Sequence, residues 1–317
     1  MKTLIIGMGN VGVMHGWVLS ESGADITHAV RKGSPGRYSD GIRMDVLDMR
    51  GDSPRNYQTS YLPKVADNIA PGDNYELVMV ATNHLQAENA VRQYRDLVPG
   101  ADFLMFTANW NGTGEIDALL PRSRYLWGFS VASGARDNDG VLYANIQKTY
   151  RIGELNGSRT PRLERIIGMF GKAGLSPDIK ANIIEWQWVH HAIDAGVIGT
   201  ALYMGGLPGE DTGIEMWVLM IRAVRDALTV LGKRGVDVRS YPDTQPFLIH
   251  DEEKAALLFR RMLLNMPHYE RTREHSHFDT SPEEMKRFYL DVLETGERMG
   301  VPMPYLGSLK EKICSNG

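Results

Sequence analysis

The sequence predicts an α/β domain built on a doubly wound, mostly parallel sheet, followed by an all-helical domain. Three observations carry that prediction. The chain opens on an apolar run, Thr3-Leu4-Ile5-Ile6, that breaks at Gly7-Met8-Gly9-Asn10-Val11-Gly12 and passes into a helical pattern. Through the first half, short apolar runs alternate with helical stretches, as in parallel strands joined by crossover helices. From Pro161 onward the pattern is almost wholly helical.

In a strand, glycine turn and helix of this kind each glycine has a task. Gly7 permits the sharp turn, Gly9 lets backbone N–H groups approach a pyrophosphate, and Gly12 lets the helix pack closely. Met8, Asn10 and Val11 complete the loop, and the helix start offers free N–H groups and the positive end of its dipole to an anion. With 33 glycines in the chain the spacing alone arises by chance; its place at the end of the first strand gives it meaning. The helix ends at Ser22-Gly23, and a second strand over 26–30 runs into Arg31-Lys32-Gly33. An NAD-binding domain usually places an acid here, about 20 residues beyond the glycines, to hold the ribose 2′-hydroxyl. Cations at this position fit a 2′-phosphate instead, so a Rossmann-type domain that binds NADP(H) through Arg31 and Lys32 is expected. The bland alternative is two solvated charges closing a strand.

Residues 34–38 are turn-rich, and 41–45 begin a short excursion before the chain returns to the sheet. The apolar run over 75–82 reads as a buried parallel strand. It ends at Thr82 and Asn83, with Gln86 just beyond, at the strand end where open α/β sheets bind ligands. A helix over 86–97 stops at Pro99-Gly100, and a strand over 102–107 leads into a second glycine-rich turn, Asn109-Trp110-Asn111-Gly112-Thr113-Gly114. Short strands fill 124–153, and helices are expected over 162–171, 183–202, 214–231, 252–266 and 282–299. The domains expected are 1–177 for the dinucleotide and 178–317 for substrate binding and dimerisation, with a homodimer as the assembly.

Length and composition set the class. At 317 residues there is room for two cores, and 43% hydrophobic with 23% charged residues is a globular balance. A net charge of −4 leaves no electrostatic footprint for nucleic acid. The one cysteine, Cys314, makes neither a disulfide framework nor a thiolate cluster. No apolar run approaches the roughly 20 residues of a membrane span. A cytoplasmic protein acting on a small molecule is expected.

Taken in order, these motifs resemble the ketopantoate reductase (2-dehydropantoate 2-reductase) family, NADP-dependent reductases with an all-helical second domain. The resemblance covers almost the whole chain. It rests on Gly7 to Gly12, Arg31, Val80-Ala81-Thr82-Asn83 with Gln86, Asn111-Gly112-Thr113-Gly114, Trp188, and Glu284 sixteen residues before Gly300-Val301-Pro302-Met303-Pro304. It implies NADPH-dependent reduction of a small 2-oxo acid or related ketone, with 2-dehydropantoate the first candidate and pantothenate biosynthesis the setting. It also implies that Asn111 stands beside nicotinamide and substrate, and that Glu284 is the family's substrate-domain glutamate.

The departures bear on the substrate. In the family the Val-Ala-Thr run continues into lysine, where this chain has Asn83. The family's catalytic lysine follows a tryptophan by two residues and precedes an asparagine by four. With Trp188 as that tryptophan, those positions hold His190 and Asp194; with Trp186, the lysine position holds Trp188. The downstream Thr200-Ala201 pair fits either register only with a one-residue shift. The family's serine and aspartate upstream of Glu284 are replaced by His275-Ser276-His277-Phe278-Asp279.

Adding hydride to a ketone leaves charge on oxygen, which a nearby acid must neutralise. Histidine titrates near neutrality and can do this in place of lysine. Asp194, four residues beyond His190, falls on the same helix face and can hold that ring. The competing reading is a histidine packed in a helix interface. His268, His275, His277 and Asp279 lack the His-x-x-x-His spacing of two imidazoles on one helix face, so no metal is expected. Trp186, Trp188 and Trp217 read as core. Two other functions stay open: an opine-type dehydrogenase joining a 2-oxo acid to an amine with a histidine–aspartate pair, and a non-catalytic NADP(H)-sensing protein.

Overall fold

The computed structural model describes residues 1–317 except Val131, Ser276, His277, Asp279, Thr280, Asn316 and Gly317. The chain divides into two compact units, Met1–Ile184 and Glu185–Gly317.

The first unit is laid out around β1 (Lys2–Ile6), which pairs in parallel with β2 (Asp25–Ala29) on one side and β6 (Leu77–Val80) on the other. With β5 (Val65–Ala66), β7 (Asp102–Phe106), β8 (Tyr125–Phe129), β11 (Thr149–Gly153) and β12 (Ser176–Ile179) they form one sheet in the order β12-β11-β8-β7-β6-β1-β2-β5. Neighbours are parallel except β8 and β11. The chain runs outward from β1 to β2 and later restarts at β6 on the other side, so the order reverses between β1 and β6, the switch point at which such sheets bind ligands. This is the expected doubly wound α/β fold. The boundary expected at 177/178 would cut β12, which pairs with β11; the sheet's need for that edge strand carries the first unit on to Ile184.

The excursion after β2 is larger than the sequence suggested. β3 (Ile42–Met49) and β4 (Arg55–Tyr61) pair with each other, and β3 also pairs with β10 (Leu142–Gln147), which pairs with β9 (Ala132–Arg136), giving a separate four-stranded sheet. Ile42, Met44 and Val46 alternate inward along β3, whereas β4 is polar and mostly exposed, so only half of the hairpin carries an apolar signal. Helices α2 (Ala87–Tyr94), α3 (Gly114–Asp117) and α4 (Pro161–Lys172) also belong to this unit, and before them comes α1 (Asn10–Glu21), which lies between the two sheets. Its Val13, Met14 and Trp17 share one core with Ile5 of the large sheet and with Met44, Leu142 and Ile146 of the small one. A helix covered on both sides is apolar all round, which is why α1 has no clear polar face.

Two histidines lie inside this core. His15 on α1 donates from Nδ1 to the Val11 oxygen at 2.8 Å, and His28 on β2 has its Nε2 3.0 Å from the Tyr61 hydroxyl. Burial pushes each imidazole down from 6.5 to about 4, so both are neutral in the folded chain.

The second unit is helical: α5 (Ile183–Met204), whose first turn leaves the first unit, α6 (Ile214–Lys233), α7 (Glu252–Leu264), α8 (Tyr269–Glu274), α9 (Pro282–Arg298), α10 (Pro304–Ser308) and α11 (Lys310–Ser315). A Cβ on Gly196 would sit 2.5 Å from the Val224 backbone nitrogen, so α5 and α6 touch backbone to backbone there. Asp226 on α6 accepts from the N–H groups of Tyr305 and Leu306 at 2.7 and 2.9 Å, fastening the start of α10. Among the described residues no helix is long and apolar enough to cross a membrane.

The buried imidazoles predict an acid-sensitive fold. Between about 4 and 6.5 the unfolded chain binds more protons than the folded one, so stability is complete above pH 6.5 and declines as the pH falls toward 4. The loss approaches roughly 3 kcal/mol per histidine. Denaturant titrations across that range are expected to follow this slope; a midpoint unchanged from pH 7 to 4.5 would mean that both rings are solvated.

Candidate functional site

The turn after β1 is shaped by the absence of side chains. Gly7 has φ +118°, and a Cβ there would lie 2.4 Å from the Ala81 carbonyl oxygen; one on Gly12 would lie 2.1 Å from the Gly7 oxygen. Helix, turn and the end of β6 are stacked backbone on backbone, and the Ala81 N–H donates to the Ile6 oxygen at 2.9 Å. Gly9 is different. A Cβ there would meet nothing within 4 Å, so the protein's own packing does not require a glycine at that position.

At the same sheet edge several polar atoms lack partners. Asn10 is 6% exposed, and its Nδ2 and Oδ1, together with Thr82 Oγ1 and Asn83 Oδ1, are buried without a hydrogen bond among the described residues. Such groups cost about 1–3 kcal/mol each and are rarely left unmet. No side chain caps the start of α1, and its first turn carries no acid, so its positive end is uncompensated. Open space at Gly9, an uncapped helix start, and unpaired amide and hydroxyl groups fit the pyrophosphate and ribose of a dinucleotide. Met8 and Val11, on the same turn, pack against the core.

Beyond β2, Arg31 and Lys32 are exposed and make no ion pair among the described residues. Their turn is closed by the Ser34 N–H on the Arg31 oxygen at 3.0 Å and fastened by the Gly33 N–H on Asp67 Oδ2 at 2.8 Å. Asp67, which follows β5, was not singled out in the sequence, where nothing marks it as the anchor of a turn 34 residues away.

Following β6, Gln86 ends a short turn of helix, His84–Gln86, and is exposed. After β7, Asn111 is exposed on the second glycine turn. Its neighbour Asn109 shapes that turn: Nδ2 donates to the Gly112 oxygen at 3.0 Å and Oδ1 accepts from the Gly112 N–H at 2.8 Å. Asn109 was missed as a shaping residue, although Asx followed by glycine is a turn signal. The parallel register places the ends of β2, β1, β6 and β7 side by side, so the candidate cofactor residues of the first unit all lie along one edge.

In the second unit His190 and Asp194 meet on α5, with Nε2 and Oδ2 3.3 Å apart and both side chains about one-third exposed at 32% and 27%. Trp186, one turn earlier, stacks on the His190 ring at 5.2 Å and 11°. Partial burial raises the Asp194 carboxyl, and His190 draws it back down. Trp188 does not support His190; it lies under the Arg234 guanidinium, 3.8 Å from the ring centre. Trp186 and Trp217 are core residues. Glu284 stands half-buried in the first turn of α9. His268 is held below its usual value by burial, His275 ends α8, and Ser276, His277 and Asp279 lie outside the described residues. Among the described residues no His, Cys, Asp and Glu group is arranged to hold a metal ion. A groove of about 1330 Å³ in this unit, lined by Arg225, Lys233, His250 and Val301, contains none of the candidate residues. Its Arg225 is already bonded to Glu252 and to the Phe247 oxygen.

Comparison with known proteins bears on the family and the fold. The family model described as ketopantoate reductase PanE/ApbA matches residues 3–157, the stretch that holds both glycine turns. The 2-dehydropantoate 2-reductase of Pyrococcus horikoshii is 24% identical over 198 residues, covering 62% of this chain and 62% of the relative, so the chain spans less than two thirds of that relative's length. The structure of 2-dehydropantoate 2-reductase from Geobacter metallireducens GS-15 superposes with a TM-score of 0.72 over 100% of both chains at 17% identity. That of D-mandelate dehydrogenase with NADH and anilino(oxo)acetate superposes with 0.75 over 99% of this chain and 98% of that one at 12% identity. These two likenesses speak for the fold, while the family model and the curated relative speak for descent. The motif order, the glycine turn and these matches together indicate the ketopantoate reductase family, with the family model matching over residues 3–157.

Proposed function

We propose that this protein is an NADPH-dependent reductase of a small 2-oxo acid or related ketone, with 2-dehydropantoate the first substrate to test. The observation that carries the reading is the turn at Gly7–Gly12, where backbone crowding fixes two glycines, the third faces open space, and buried Asn10, Thr82 and Asn83 atoms lack partners. Arg31 and Lys32 favour the 2′-phosphate of NADP(H) over the bare ribose of NAD(H). When bound, the nicotinamide supplies the hydride.

The rest falls to the chain. As the carbonyl carbon gains hydride, its oxygen gains a proton, and His190 is the donor in this reading. Asp194 keeps the imidazole oriented, while Trp186 limits its rotation. Asn111 orients the carbonyl and Glu284 binds a polar group of the substrate. The family's lysines are replaced by Asn83 and His190, so the substrate can differ from 2-dehydropantoate while hydride transfer is retained. A homodimer in the cytoplasm is the expected working form.

The deciding assay follows NADPH oxidation with 2-dehydropantoate and a panel of 2-oxo acids, each with and without an added amine. Turnover only with the amine would make this an opine-type dehydrogenase, and tight NADPH binding with no turnover would make it a nucleotide sensor. Gly9→Ala should leave the melting temperature nearly unchanged and weaken NADPH at least about tenfold, whereas Gly7→Ala should destabilise the fold through both its φ and its contact with Ala81. Undiminished NADPH affinity in Gly9→Ala would move the pyrophosphate elsewhere. Arg31→Ala should narrow the preference for NADPH over NADH by about 10- to 100-fold, the loss of a charge-assisted bond worth roughly 1.5–3 kcal/mol. Equal binding of the two cofactors by the unmodified protein would count against a 2′-phosphate site. His190→Ala should slow single-turnover hydride transfer by about 10²–10⁴-fold with NADPH affinity intact. Full transfer in that variant would place the proton donor at another residue.

A further inference from the structure

His191 faces a different side of α5 from its neighbour. About 100° further around α5, it is 1% exposed, and its ring stacks on Phe288 of α9 at 4.5 Å and 27°. Its Nε2 lies 3.5 Å from Asp291 Oδ2, and Asp291 is 6% exposed. Asp291 is itself held by Arg287, whose Nε reaches Oδ1 at 2.5 Å and whose other arm binds Glu294. Glu284, Phe288 and Asp291 follow one another at i, i+4 and i+7, so they form one stripe along α9. The stripe that ends at Glu284 is thus the one that seats His191, next in sequence to His190.

Resting on the reductase reading, we infer that His191 and Asp291 are positioning residues: their contact fixes the rotation and register of α9 against α5 and thereby sets Glu284 with respect to His190. A buried polar pair gives little net stability beside a well-packed apolar one, and in some proteins it instead specifies which of several apolar registers two helices adopt. Phe288 alone would tolerate sliding along α5; the carboxylate, clamped by Arg287, would not.

A double-mutant cycle on kcat/KM for NADPH-dependent reduction of 2-dehydropantoate tests this. His191→Phe keeps the ring on Phe288 and removes its nitrogens, and Asp291→Asn keeps the shape and removes the charge, so one serves if the other misfolds. Each is expected to lower kcat/KM by about 10- to 100-fold through misplacement, with the NADPH dissociation constant unchanged. Glu284→Gln should lower it by about a hundredfold. If His191 acts through Glu284, adding His191→Phe to Glu284→Gln costs less than about twofold more, whereas independent losses would multiply. Multiplying losses, or no effect of His191→Phe and Asp291→Asn, overturn the inference while leaving the reductase reading intact. An inert Glu284→Gln would instead remove Glu284 from the site and overturn that part of the reading, and the inference with it.

Discussion

The constraint on which the first unit depends is the contact of main chain with main chain at Gly7. There the turn leaving β1 lies on the Ala81 carbonyl at the end of β6, and Gly12 of the helix lies on the turn. No side chain can enter either contact, so the three segments have a single separation. That separation sets the direction of α1 and, with it, the direction of its unbonded amides. It also brings Thr82 and Asn83 to the edge that Asn10 shares. The sheet supplies the rest, because the parallel register aligns the ends of β2 and β7 with this point. A site made of backbone amides and short polar side chains needs such rigid support, since none of its parts can reach far.

The second unit solves a different problem on α5. This helix is apolar on nearly every side, yet it carries two adjacent histidines with distinct surroundings. His191 is packed against Phe288 of α9, with its Nε2 3.5 Å from the Asp291 carboxylate that Arg287 fixes. His190 keeps one edge open, with Trp186 along its face and Asp194 one turn on. Neighbouring positions thus separate a packed role from a chemical one through the 100° step of the helix alone.

How much of this was legible in the sequence depends on how local each signal is. The strand, glycine turn and helix, the cationic turn at Arg31, and the long helices all announce themselves within a dozen residues. The pairing of His190 with Asp194 follows from helix geometry and was legible too. The small sheet was not, because β3 pairs with β10 almost a hundred residues later and β4 presents polar residues to solvent. Asn109 was overlooked beside Asn111 because its work is a pair of bonds to the Gly112 backbone, visible only once the turn is built. The tryptophan beside His190 is Trp186, at i−4, whereas family spacing drew attention to Trp188; only the packing of α6 shows that Trp188 belongs with Arg234.

The enclosure of α1 between two sheets has a consequence for how the chain comes to its native state. The outer wall of that helix is made partly by Leu142, Ala144 and Ile146, which reach it only after β10 has aligned with β3. During synthesis the glycine turn and its helix are made before β10, so the apolar outer side of α1 stays uncovered until more than a hundred further residues have emerged. Closing so long a loop is slow, and the exposed helix is open to wrong partners in the meantime.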